Sequence, residues 1–120
     1  MAEYKDKQRI IQELVPGKQI TLAHIIANPD EILYKKLGLD PAVEYSKSAI
    51  GILTLSPAET AIIASDIAIK SSGAQLGFVD RFSGTVIITG TFSEVDASLR
   101  AVTQYAEETL GFTVCKITKT

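Results

Sequence analysis

Apolar and polar positions along the chain change period several times, and each change marks an element. Ile20, Leu22, His24 and Ile26 alternate with Thr21, Ala23, Ile25 and Ala27, the period of a strand whose bulkier face carries His24. Ala49 to Leu55 is a short, nearly all-apolar run suited to a strand buried on both faces. Gln75 to Phe82 and Thr85 to Thr89 flank the turn residues Ser83-Gly84, which predicts a hairpin, and Phe112 to Thr118 supplies a last strand. Val95, Leu99, Val102, Ala106 and Leu110 follow the spacing of one helical face that must lie on a sheet.

Helix punctuation places three helices between these strands. Asn28-Pro29-Asp30-Glu31 reads as an Asn cap, a proline in the first turn and two carboxylates at the positive end of the dipole, with Gly38 as the stop. Ser56-Pro57-Ala58-Glu59 predicts a capping box for a second helix that Gly73 closes; its Ala58, Ala61, Ala64, Ser65, Ala68 and Ser72 permit close approach to a neighbour. Ser93 is the expected cap of the third, which ends before Gly111. Residues 49–118 therefore read β-α-β-β-α-β, the order of a ferredoxin-like α/β sandwich in the α+β class. The leading strand and helix are expected to join the same sheet. Leu39 to Lys47 is the evident loop. Farther upstream, Ile10, Ile11, Leu14 and Val15 fit a short amphipathic helix, although Pro16-Gly17 leaves little room for one.

Length and charge narrow the function. A chain of 120 residues holds one domain, 1–120, and 46% apolar residues with a mean hydropathy of +0.19 is high for so small a core, so some apolar surface is expected to face another subunit. Twelve basic against fourteen acidic residues give a net charge of −2, which offers no field for nucleic acid. No run of about 18 apolar residues exists to span a bilayer, and the charged start, Met1 to Arg9, lacks the apolar stretch of a signal peptide. Cys115 is the single cysteine, which excludes an internal disulfide and multi-cysteine zinc sites and suits a reducing cytosol.

Chemistry is sparse. The chain holds none of the short signatures of dinucleotide, phosphate, zinc or nucleophile sites, so no catalytic, cofactor or metal residue is assigned. His24, the sole histidine, reads as a core or interface residue with one satisfied nitrogen rather than a base, and Cys115 as a small buried hydrophobe. Asp30 and Glu31 are explained by the helix dipole. Asp66 fits a solvated helix face or a pair across an interface. The tip Asp80-Arg81-Phe82-Ser83-Gly84 is either a plain turn or a functional one, because it combines charge, aromatic and glycine at an exposed hairpin.

Four stretches together resemble a known family: Arg9 to Gln19, Thr21-Leu22-Ala23-His24, Leu53 to Ala61, and Gly77 to Gly84. They are similar to the circularly permuted single-domain shell proteins of ethanolamine-, propanediol- and choline-utilisation bacterial microcompartments. The likeness runs from about Lys7 to the C-terminus. It implies a permuted ferredoxin-like core over 18–120, with the permuted strand and helix first, and a structural role as a hexameric ring that tiles into a shell and limits metabolite diffusion. It implies partners among copies of itself, other shell proteins and encapsulated enzymes, and a place in the cytoplasm within the microcompartment shell. It also implies that residues 8–17 form a strand, through Gln8, Ile10, Gln12 and Leu14, of a six-copy barrel at the pore. Arg81, Phe82, Ser83 and Gly84 match the pore-lining hairpin, and Lys70 matches the lysine at the hexamer edge. Between Leu39 and Ser48 the chain is longer and less glycine-rich than the family pattern, which bears on ring curvature. The competing reading is a small-molecule-sensing regulatory domain of ferredoxin-like fold, since fold does not fix function.

Overall fold

The apolar run at Ala49 becomes the middle of a mixed sheet in the computed structural model, which describes residues 18–45 and 48–120. That strand, β2 (Ala49–Ser56), pairs antiparallel on one side with β1 (Gln19–Ile26) and on the other with β4 (Thr85–Gly90). The expected hairpin joins β3 (Gln75–Asp80) to β4, and β3 forms one edge. Beyond β1 the chain returns as two fragments, β5 (Thr113–Val114) and β6 (Thr118–Lys119), both parallel to β1. The strand order is β3-β4-β2-β1-β5, with β6 also on β1.

This order corrects the expectation of one continuous last strand over Phe112–Thr118. In a plain β-α-β-β-α-β sandwich the last strand would lie beside β2; here β1 holds that place along its whole length, from Gln19 opposite Ser56 to Ile26 opposite Ile50. The late segment is left with the outer edge of β1, where Cys115 to Ile117 leaves the ladder because Cys115 and Ile117 turn toward the core. Strand β1 also departs from strict alternation. Its register shifts between Ile20 and Leu22, so the core side is Ile20, Ala23 and Ile25, not the Ile20, Leu22, His24, Ile26 series; Leu22 is left exposed.

Three helices form where expected, but their caps differ. Helix α1 (Glu31–Lys36) is capped by Asp30, whose carboxylate accepts from Ile32 N at 3.1 Å, rather than by Asn28. Helix α2 (Thr60–Ser71) has no side-chain cap: Ser56 stays in β2, so it cannot form the expected box with Glu59, and Thr60 Oγ1 instead donates to Pro57 O. Helix α3 (Phe92–Glu108) begins two residues earlier than a Ser93 cap would place it, with Thr91 as its cap. Thr91 accepts from Glu94 N at 3.1 Å while Glu94 accepts from Thr91 N at 2.9 Å, a complete capping box.

Helices α2 and α3 cover one sheet face and α1 covers part of the other. The main core gathers Ile25, Leu53, Val86 and Ile88 of the sheet against Val95, Leu99, Val102 and Ala106 of α3, the predicted stripe. Helix α3 lies so close to β2 that a Cβ at Gly51 would meet Val95 Cγ1 at 2.6 Å. Between the helices the seam is made of small groups, Ala61, Ala64, Ala68 and the buried Ser98, whose hydroxyl donates to Ala68 O at 2.7 Å. On the opposite face Tyr34 and Leu39 pack on Ile50 and Ile87, with the Tyr34 hydroxyl donating to Ser48 O at 2.6 Å and its ring stacked on Tyr45.

Candidate assembly surfaces and the hairpin tip

Helix α2 is turned in an unusual sense. It buries its alanines and Ser65, while Ile62, Ile63 and Ile69 are exposed at 53%, 45% and 41%. A helix apolar nearly all round belongs inside something, and one chain covers only half of this one. Next to it runs β3, which carries neither charge nor proline from Gln75 to Val79: Leu76, Phe78 and Val79 are exposed on both of its faces. These six residues were not singled out from sequence; the signal that could have found them is a strand run, Leu76 to Val79, without polar alternation beside a helix whose only small residues share one side.

The hairpin tip is rigid below and open above. Gly84 has φ +78, and a Cβ there would run into Leu55 O; Leu55 N donates to Gly84 O and Gly84 N to Asp80 O, both at 2.8 Å. Asp80 accepts from Phe82 N at 2.8 Å and Ser83 Oγ at 2.9 Å, and these donors hold its carboxyl below the ordinary aspartate range. Above this base Phe82 is 80% exposed, with the Arg81 guanidinium 5.0 Å from its ring centroid. Arg81, Phe82 and Ser83 are thus contiguous and exposed together, while Gly84 is buried in the base beneath them. Lys70, at the end of α2, is well away in sequence and pairs with Asp66 at 2.9 Å on an exposed helix face. The Asp66 carboxylate is therefore engaged within its own helix.

His24 is held by more than the one partner expected of it. Nδ1 lies 2.6 Å from Thr118 Oγ1 and Nε2 2.9 Å from Thr120 Oγ1. Cys115 is half-buried at the margin of the main core. Among the described residues no cluster of His, Cys, Asp or Glu could hold a metal ion, and no helix is long and apolar enough to cross a membrane. The strand expected for 8–17, with Gln8, Ile10, Gln12 and Leu14, lies outside the described residues.

Comparison with known proteins places this arrangement. The BMC domain model matches residues 49–118, the β-α-β-β-α-β stretch. The bacterial microcompartment shell protein PduU of Salmonella typhimurium is 56% identical over 112 residues, covering 93% of each chain. The structure described as a CutR flat hexamer superposes with a TM-score of 0.80 at 48% identity, over 93% of this chain and 99% of that one. A CutR screw with 41.9 Å pitch superposes with a TM-score of 0.79 at 46% identity, over 88% of this chain and all of that one. With an apolar flank left open, a projecting hairpin and these relatives along nearly its whole length, the chain belongs to the BMC-domain family of bacterial microcompartment shell proteins.

Proposed function

We propose that this protein is a structural subunit of a bacterial microcompartment shell, acting by assembly into a six-membered ring that tiles with other shell proteins and slows the passage of metabolites. The observation that carries the reading is the outward set of Ile62, Ile63 and Ile69 on α2 beside Leu76, Phe78 and Val79 on β3. Head-to-tail contact between identical copies covers such a flank and closes a ring. CutR, which is described both as a flat hexamer and as a screw, supports a subunit whose contacts admit more than one rotation.

In this reading the single domain spans 1–120 as a circular permutation: β1 and α1 lead, and β1 fills the place beside β2 that the last strand holds in the unpermuted order. Arg81, Phe82, Ser83 and Gly84 ring the symmetry axis, Gln8, Ile10, Gln12 and Leu14 belong to a barrel strand above it, and Lys70 lies at the edge where rings meet. A lysine stem suits that edge, since its methylenes cover apolar surface while the ammonium reaches a carbonyl. No bond is made or broken, and the protein works inside the shell it builds. Sedimentation and electron microscopy of the purified chain test this: rings with sheets or tubes are expected, and a monodisperse monomer at micromolar concentration overturns it.

A second reading, a small-molecule-sensing domain, has one observation in its favour. Glu31, Tyr34, Lys35, Leu39, Asp40 and Tyr45 line a cavity of about 700 Å³ between α1 and the loop after it. Specific thermal stabilisation by one metabolite, with no higher assembly, is the result that would select it.

A further inference from the structure

Residues 118–120 are bound to the outer edge of β1 as a ligand is bound to a site, with every position contacted. The backbone is held by Thr120 N donating to Ile25 O at 2.9 Å and Ala27 N donating to Thr120 O at 3.0 Å, in parallel register with His24 opposite Thr118. Side chains two apart share a face of a strand, so Thr118 and Thr120 both point the way His24 points. The imidazole sits between their hydroxyls, at 2.6 Å and 2.9 Å, one on each ring nitrogen. Lys119 turns the other way and places its ammonium 5.4 Å from the centroid of the Phe92 ring, on α3. Thr118 Oγ1 is also 3.4 Å from Ala23 O.

Ladder hydrogen bonds alone are indifferent to sequence, whereas a histidine clamped between two hydroxyls and a ring under an ammonium are not. All three residues are exposed on their outer side, and beyond Ile117, which packs on the core, the contacts that hold them are these ladder, hydroxyl and ring contacts among the described residues. We propose that the outer edge of β1, with His24 and Phe92 as its reading residues, is a strand-acceptor site selective for a Thr-Lys-Thr segment. Its own segment fills it within one chain, and the same segment of a second copy fits it equally, because the contacts specify the tripeptide and not the chain that supplies it. Copies brought side by side thereby have a means of exchanging strands that is independent of the α2 and β3 flank.

The test uses the full chain with Thr118→Val and Thr120→Pro, which removes both hydroxyls and the Thr120 N–H and so vacates the site. A fluorescein-labelled peptide of residues 113–120, with Cys115→Ser, is added and fluorescence anisotropy is read. Binding is expected, weakened about tenfold when the peptide itself carries Thr118→Val and Thr120→Val, and the preference is expected to vanish when His24→Ala is added to the chain. In the otherwise unaltered protein His24→Ala is expected to speed hydrogen exchange at the Thr120 and Ala27 amides. No peptide binding, equal binding of the two peptides, or unchanged exchange at those amides overturns the proposal.

Discussion

Asp80 stabilises the hairpin tip most strongly while it is ionised, because both of its side-chain partners, Phe82 N and Ser83 Oγ, donate to it. Its carboxyl is lowered in the folded chain, so the stabilisation is fully present above the unfolded carboxylate range and fades as pH falls through the lower folded value. Asp80→Asn is therefore expected to remove the acid-side loosening of the turn, read as pH-independent amide shifts of Phe82 and Ser83 by NMR. At Gly84 the backbone sits at φ +78 with Leu55 O where a Cβ would go, so Gly84→Ala is expected to cost about 1–3 kcal/mol in urea denaturation.

At the scale of elements, α3 is where stability concentrates. Leu99 is fully buried in the predicted stripe, so Leu99→Ala is expected to cost about 2–5 kcal/mol, against about 1 kcal/mol for Thr91→Ala, which removes half of the capping box, both read by denaturant unfolding. That stripe was legible because burial imposes its period directly on the sequence. The caps were less so: Asn28, Ser56 and Ser93 are sound cap residues, but Asp30 and Thr91 stand close by, and β2 continues through Ser56 and keeps it from α2. The split of the last strand into β5 and β6 could not be read locally, since it depends on which strand already lies beside β2. The partners of His24 are 94 and 96 residues away in the chain, beyond any periodicity. The hairpin tip, by contrast, was visible as a contiguous motif, and only its rigidity and the stacking of Arg81 on Phe82 required the fold.

For the whole molecule the consequence of an inward-facing alanine seam is an outward-facing isoleucine surface. If copies cover it, then Ile62→Lys or Phe78→Lys is expected to shift sedimentation from rings to monomers while the circular dichroism spectrum is unchanged, because both side chains are outside the core of the single chain. Lys70→Ala is expected to leave rings intact and reduce the sheets and tubes seen by electron microscopy, because its contribution within α2, an exposed pair with Asp66, is worth only about 0.3–0.5 kcal/mol.

The position of β1 also orders the events of synthesis. It is the first described strand made, yet it is enclosed by β2 on one side and by β5 and β6, made last, on the other. A nascent chain can zip β1 to β2 soon after both leave the ribosome, but half of that strand's backbone stays unpaired until residues 113–119 emerge. For the time in between, crowded polysomes present many identical open borders to one another, and the rate at which the tail follows sets how long each is at risk of pairing with the wrong neighbour.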